Sequence, residues 1–173
     1  MIVCAGGNEN FDFAKAIGVG LVESAINLTQ FCLMYRPKDI LFIGTCGIYD
    51  KGEILELYES FHAFNVEFAK LSHNFYTPAK SEIFISSQGY RVNSSNYICN
   101  DSKAAKKFAN LGLHFENMEA FAVLSVAKKF GISAKCLLCA TNFCDENAHE
   151  NFTKNHQKAK EKLVCYLKNN CYI

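Results

Sequence analysis

Residues 114–142 read HFENMEAFAVLSVAKKFGISAKCLLCATN, and this stretch decides the fold class. His114 to Glu116 suits a short strand. From Met118 to Ala127 every residue except Glu119 and Ser125 is apolar, and a helix apolar on all sides is a buried helix. Asn117 suits its N-cap, Lys128 and Lys129 lie at its negative end, and Gly131 terminates it. Ala134 to Ala140 then reads as a buried strand that ends at Thr141-Asn142. Strand, helix, strand alternation predicts a three-layer α/β domain. Glu119 is the exception on the helix. A carboxylate beside so much apolar surface is costly unless something binds it, so Glu119 is placed for a ligand. A plainer reading puts Glu116 and Glu119 in the first helical turn, where both complement the helix dipole.

Upstream, Asp39 to Ile43 reads as a buried strand followed at once by Gly44-Thr45-Cys46-Gly47. A glycine-flanked turn after such a strand is a common place for a ligand loop in α/β sheets. Met1 to Ala5 is a short apolar strand, and the alternation of Phe11 to Ile17 predicts another. Gly18-Val19-Gly20 turns the chain into a helix over 21–35, which Arg36-Pro37 stops. Glu53 to Phe64 is extended, Phe68 to Pro78 loop-like, and Ile83 to Ser87 and Tyr90 to Ser94 are short strands. Asn100 or Ser102 caps a helix that runs to about Leu111. The last helix spans about Asn151 to Asn169 on a stripe of Ala159, Leu163, Tyr166 and Leu167.

Composition narrows the function classes. Half of the 173 residues are hydrophobic, a fifth are charged and the net charge is +1. That is a globular balance, enough for a core in one domain spanning 1–173, and it offers no surface for nucleic acid. No apolar run is long enough to span a membrane. The nine cysteines are scattered, odd in number and preceded by no secretory signal, so they read as reduced thiols in a cytoplasm. Cys136 and Cys139 sit in a strand, where positions three apart face opposite sides. That spacing does not suit one metal. Cys144 with His149 and His156 is a weak zinc set, and no metal is expected. The sequence contains no GxGxxG, Walker loop, HExxH or GxSxG.

Three motifs occur in order: Gly44-Thr45-Cys46-Gly47, Asn117-Met118-Glu119-Ala120 and Ala140-Thr141-Asn142. Together they resemble the nucleoside phosphorylase and nucleosidase superfamily, which includes purine nucleoside phosphorylases, uridine phosphorylases and methylthioadenosine/S-adenosylhomocysteine nucleosidases. The similarity runs from about Gly18 to the C-terminus, with Gly18-Val19-Gly20-Leu21-Val22 like the glycine turn before that family's first long helix. The resemblance implies a mixed, twisted sheet with helices on both faces. It also implies cleavage of a ribosyl N-glycosidic bond through an oxocarbenium-like transition state, in which charge on both sugar and base must be stabilised.

The resemblance also assigns roles. Glu119 matches the acid that accepts hydrogen bonds from the ribose 2′- and 3′-hydroxyls, and Met118 the residue that packs on the sugar. Asn142 matches the position that meets the purine at N7. Methylthioadenosine nucleosidases carry an aspartic acid there, which protonates the leaving adenine. An amide cannot titrate, but it donates hydrogen bonds. The family uses Asn at this place for 6-oxopurines, which implies a hypoxanthine or guanine nucleoside. Tyr97 and Ile98 resemble the base-stacking aromatic and its neighbour; a buried strand aromatic is the competing reading of Tyr97. Thr45, with Gly47, matches the region that meets phosphate or the attacking water. Glu9 follows the first strand, where nucleosidases carry a water-activating acid.

The chain departs from the family in two ways. Phosphorylases hold phosphate with arginines, whose fork fits its oxygens. Phe42 stands where one of these is expected, and the chain has two arginines, Arg36 and Arg91. Unless a neighbouring subunit supplies an arginine, water is favoured as nucleophile over phosphate, which would be a co-substrate. The segments before Gly18 and before Tyr90 also look trimmed, so a partner copy is expected to complete the pocket in a homo-oligomer, at least a dimer. Two alternatives stay open: a catalytically degenerate nucleoside- or base-binding protein of the same fold, and a flavodoxin-like binding protein with a purely parallel sheet and an anion at the Gly44 turn.

Overall fold

The computed structural model describes residues 1–72 and 74–173. Strands β1 (Ile2–Cys4), β2 (Lys15–Ala16), β3 (Asp39–Ile48), β4 (Leu57–Phe64), β5 (Glu82–Gly89), β6 (Arg91–Asn93), β7 (Phe115–Glu116) and β8 (Ser133–Phe143) form one eight-stranded sheet. It is mixed: β3 runs parallel to β1 and β8 but antiparallel to β7, and β4 is antiparallel to β5 and β8. The hydrogen bonding closes on itself, because β8 joins β3 to β4 on one side while β7 and β6 join them on the other. This mixed sheet overturns the flavodoxin-like alternative, which required parallel strands throughout.

Helices α1 (Gly20–Tyr35), α2 (Phe68–Leu71), α3 (Ser102–Asn110), α4 (Ala120–Phe130) and α5 (Ala148–Asn169) complete the fold. The central strands alternate in register with their two covers. Ile40, Phe42, Cys136 and Leu138 pack with α1 and α4, including Leu28, Val123 and Leu124. Leu41, Ile43, Leu137 and Cys139 face the other way, onto Ala159, Leu163 and Leu167 of α5. Period-2 strands between period-3.6 helices produce these three layers. Cys136 and Cys139 do fall on opposite faces, and all nine cysteines are free thiols.

Several expected boundaries move. Gly44 to Gly47 form no turn. β3 continues through them to Ile48, because pairing with β8, with one register shift between Cys46 and Gly47, outweighs the glycines' preference for turns. Likewise β8 continues past Ala140 to Phe143. Over 11–17 only Lys15 and Ala16 are in a strand; tight turns occupy the residues before them. The extended run from Glu53 is regular only from Leu57. Phe68 to Leu71 is a short helix rather than loop, and His73 in that stretch lies outside the described residues. Asp101, not Asn100 or Ser102, caps α3 by accepting from Lys103 N and Ala104 N. α5 begins at Ala148, three residues earlier than its stripe suggests. Glu116 belongs to β7, not to a helical turn.

Asn117 is the joint that places α4. Its Oδ1 accepts from Glu119 N and Ala120 N at 2.8 Å each, and its Nδ2 donates to Thr45 O at 3.0 Å. One buried amide therefore caps α4 and ties it to the end of β3. Asn117→Ala removes all three bonds and leaves buried backbone groups unpaired. It should lower stability by about 2 kcal/mol, seen as a reduced urea midpoint with an unchanged slope. An unchanged midpoint would mean the joint is not structural.

Candidate active site

A cavity of about 480 Å³ opens where β1, β3 and β8 end and α4 begins. That volume suits a small-molecule ligand. Glu9, Thr45, Gly47, Tyr97, Ile98, Met118, Glu119 and Asn142 all line it. Every residue to which the resemblance gave a role is therefore brought to one place, from five separate segments of the chain, whereas Cys144 and His156 of the zinc set do not line it.

Glu119 is buried, with 3% exposure, and lies at the start of α4. It does not cap its own helix. Its Oε1 accepts from Gly20 N at 2.9 Å, at the N-terminus of α1. The Gly18-Val19-Gly20 turn aims that amide: both glycines have positive φ, and a Cβ on Gly20 would lie 2.8 Å from Asn96 Oδ1. Other amides at this helix start are also satisfied by side chains, Val19 N by Glu23 and Leu21 N by Asn96. The glycine turn thus presents a free helix N-terminus to a carboxylate, a favourable end for negative charge. Burial pushes the Glu119 carboxyl up to about 7, against the Gly20 bond, and nearby Glu9 pushes it further.

Glu119 is not solitary. Glu9 and Glu116 line the same cavity. Gly6 and Gly7 turn the chain after β1, and Glu9 N closes that turn on Gly6 O. Glu9 then reaches Thr45, accepting from its backbone N at 3.1 Å and from its hydroxyl. Gly44 makes room for this contact, since a Cβ there would sit 2.7 Å from Glu9 Oε2. Burial raises the Glu9 carboxyl above the usual range despite both Thr45 bonds. Glu116 Oε1 accepts from Cys99 N at 3.0 Å, and burial pushes it up to about 7.

The far end of the cavity is built around Asn142 of β8 and Glu116 of β7. Asn142 Oδ1 accepts from Thr141 Oγ1 at 2.8 Å, and its Nδ2 donates to Phe143 O at 3.0 Å. One N–H and one lone pair remain for a ligand. Tyr97 is 87% exposed in the loop after β6, so it is not a buried strand aromatic. Its ring lines the mouth of the cavity. Phe152 and His149 of α5 complete the wall. Glu116, His149 and Phe152 carry no motif, and only the fold brings them here. For Glu116 the one available signal was its strand position three residues before Glu119.

No lysine or arginine among the described residues lines the cavity. Arg36 is the exposed left-handed cap of α1, and Arg91 stacks over Phe64 at 4.7 Å. No three His, Cys, Asp or Glu side chains among the described residues converge to hold a metal. No described helix is long and apolar enough to cross a membrane.

Known proteins match this architecture. The phosphorylase superfamily model matches residues 65–168. A DeoD-type purine nucleoside phosphorylase of Clostridium beijerinckii is 25% identical over 145 residues, which are 74% of this chain and 61% of that protein. The chain thus spans about three-fifths of that relative's length. A Helicobacter pylori methylthioadenosine/S-adenosylhomocysteine nucleosidase mutant with 5′-methylthioadenosine in its active site superposes with a TM-score of 0.79 at 18% identity, covering 90% of this chain and 78% of that one. Native futalosine hydrolase of the same organism gives 0.78 at 18%, covering 90% and 76%. A Streptococcus pneumoniae nucleosidase with a transition-state inhibitor gives 0.75 at 9%, covering 93% of both chains. At these identities the structural matches establish a shared fold.

The raised carboxyls have a consequence for stability. Each binds its proton more tightly when folded than when unfolded, so its protonated form favours the native state. That contribution is full below the unfolded value near 4.5 and is lost as pH rises through about 7. The ligand-free protein should therefore melt several degrees higher at pH 5.5 than at pH 8. Replacing Glu116 and Glu119 together by glutamine should flatten that difference. A melting temperature that rises with pH over this interval would contradict the ascribed burial.

Proposed function

The chain belongs to the phosphorylase superfamily, and from that premise we propose that it hydrolyses the N-glycosidic bond of a purine ribonucleoside, with a 6-oxopurine as the base. The observation that carries this reading is the charge of the cavity: three carboxyl groups line it, and no lysine or arginine among the described residues does. A phosphate placed about 5 Å from an ionised carboxylate is repelled by about 3 kcal/mol per charge pair at an effective dielectric of about 20. Nothing in the described cavity offsets that. Water and a neutral sugar diol meet no such barrier.

The roles then follow from position. Glu119 accepts hydrogen bonds from the 2′- and 3′-hydroxyls while Gly20 N–H holds its other side. Its negative charge also stabilises the cation that develops on the sugar. Met118 packs beneath the ribose. Glu9, fixed by Thr45, takes a proton from the attacking water, and burial raises its affinity for that proton above that of an ordinary carboxylate. Asn142 hydrogen-bonds the N7 edge of the base, and Tyr97 and Ile98 cover its face. An amide at this place supports a 6-oxopurine, because its remaining N–H can donate to the oxygen beside N7.

The same proposal includes assembly and setting. Val19 at the N-cap of α1 and Val22, Ile26 and Leu33 along it are more than half exposed, and Val19 also lines the cavity. An apolar ridge at a pocket mouth supports a homo-oligomer, at least a dimer, that completes the site. Nine free thiols support a reducing cytoplasm.

Inosine, guanosine, adenosine and uridine, each with and without phosphate, provide the test. Free hypoxanthine and ribose should form from inosine at a rate that phosphate does not change. Glu119→Ala should cut kcat/KM at least 100-fold, and Glu9→Gln should cut kcat more than it raises KM. Ribose 1-phosphate as product would make the protein a phosphorylase. Saturable binding without base release would make it a nucleoside-binding member of the fold.

A further inference from the structure

Glu116 has no part in the chemistry described so far, yet it stands at the base end of the cavity. Gly47 of β3 pairs with Glu116 of β7 on one side and with Asn142 of β8 on the other. These three residues form a row across adjacent strands, and the middle one has no side chain. A Cβ on Gly47 would lie 3.2 Å from Glu116 Cγ, 3.1 Å from Asn142 Nδ2 and 2.8 Å from Cys144 Sγ. The carboxyl and the amide therefore converge over the space that the glycine leaves open, and both line the cavity.

Resting on the proposed glycosidic cleavage, we propose that Glu116 is the general acid of this site and gives its proton to N7 of the leaving purine. The neighbouring Asn142 cannot supply a proton. Its remaining N–H serves the 6-oxygen beside N7. In the step, the C1′–N9 bond breaks and its electron pair stays with the base. Water oxygen bonds to C1′, and the water proton passes to Glu9. The Glu116 proton passes to N7, leaving a neutral base, and solvent carries a proton back from Glu9 to Glu116.

The surroundings of Glu116 suit this work. Cys46 and Tyr49 approach from β3 and the residue after it, Cys144 from beyond β8, and Cys99 from the loop before α3; Asn93 pairs with it from β6. None of these is a cation that would hold the carboxyl ionised. Burial is the largest influence and pushes it up to about 7, so a large fraction carries the proton at neutral pH. The Cys99 N–H donates to Oε1, and the Cys144 thiol and Tyr49 hydroxyl also hydrogen-bond the carboxyl, so neutral donors alone orient it towards the cavity that it lines.

Glu116→Gln keeps the shape and the Cys99 bond but has no proton to give. On inosine its kcat/KM should fall at least 100-fold, and the alkaline fall in rate near pH 7 should disappear. On 4-nitrophenyl riboside, whose phenolate departs without a proton, the loss should shrink to less than threefold. Adding Asn142→Asp to E116Q should restore at least tenfold on inosine, because an acid then stands on the other side of Gly47. Equal losses on the two substrates, or no rescue by the added aspartate, overturn the assignment. Base release by wild type with E116Q equally active overturns Glu116 alone. A wild type that releases no base from any ribonucleoside overturns the glycosidic reading itself.

Discussion

Each of the three carboxyl groups in the cavity is held by a backbone amide, and among the described residues none forms an ion pair, the charge of Lys160 acting on Glu9 only weakly. Gly20 N holds Glu119, Thr45 N holds Glu9, and Cys99 N holds Glu116. A backbone N–H carries only a partial charge, so it orients a carboxylate without neutralising it. Burial then dominates, and all three groups bind protons more tightly than they do in water. A lysine or arginine in place of any one amide would hold its carboxyl ionised and spent. The pocket instead keeps three carboxyls free to accept hydrogen bonds or exchange protons, at some cost to the stability of the empty protein at alkaline pH.

The fold exists to bring those amides together. β3 and β8 run side by side through ten paired residues, and the pair Gly47 and Asn142 lies next to their ends at Ile48 and Phe143. α1 and α4 cover the same face of the sheet, and both direct their N-termini to the cavity. Glycine serves two different purposes there. At Gly18 and Gly20 it supplies a backbone conformation, whereas at Gly44 and Gly47 it supplies an absence, the missing Cβ that lets Glu9, Glu116 and Asn142 close in. Strand pairing gives the precision, because residues on neighbouring strands have fixed spacing.

Much of this was legible before any coordinates. The buried α4, its Asn117 cap and its Gly131 stop were written in apolar runs and capping residues, which are local signals. Glu119 was legible as an acid out of place, and the order of three short motifs carried the rest of the site. What escaped was set by partners far away in sequence. Gly44 to Gly47 read as a turn because their β8 partner lies about a hundred residues on. Glu116 read as a dipole acid because nothing local shows that β7 lies beside Gly47. Glu9 drew little weight from its own neighbourhood, and only its contact with Thr45 gives it a place. Tyr97 was equally readable as core, since exposure belongs to the loop's path and not to the residue.

The account depends on the sugar lying against Glu119 and the base against the row of Glu116, Gly47 and Asn142. Its most direct test is a crystal structure with a C-nucleoside analogue of inosine, whose carbon link between sugar and base resists cleavage. The ribose diol should lie within hydrogen-bonding distance of Glu119, the base edge should meet Asn142 and Glu116, and a water should sit between Glu9 and C1′. A ligand bound in the reverse direction, or outside this cavity, would contradict it.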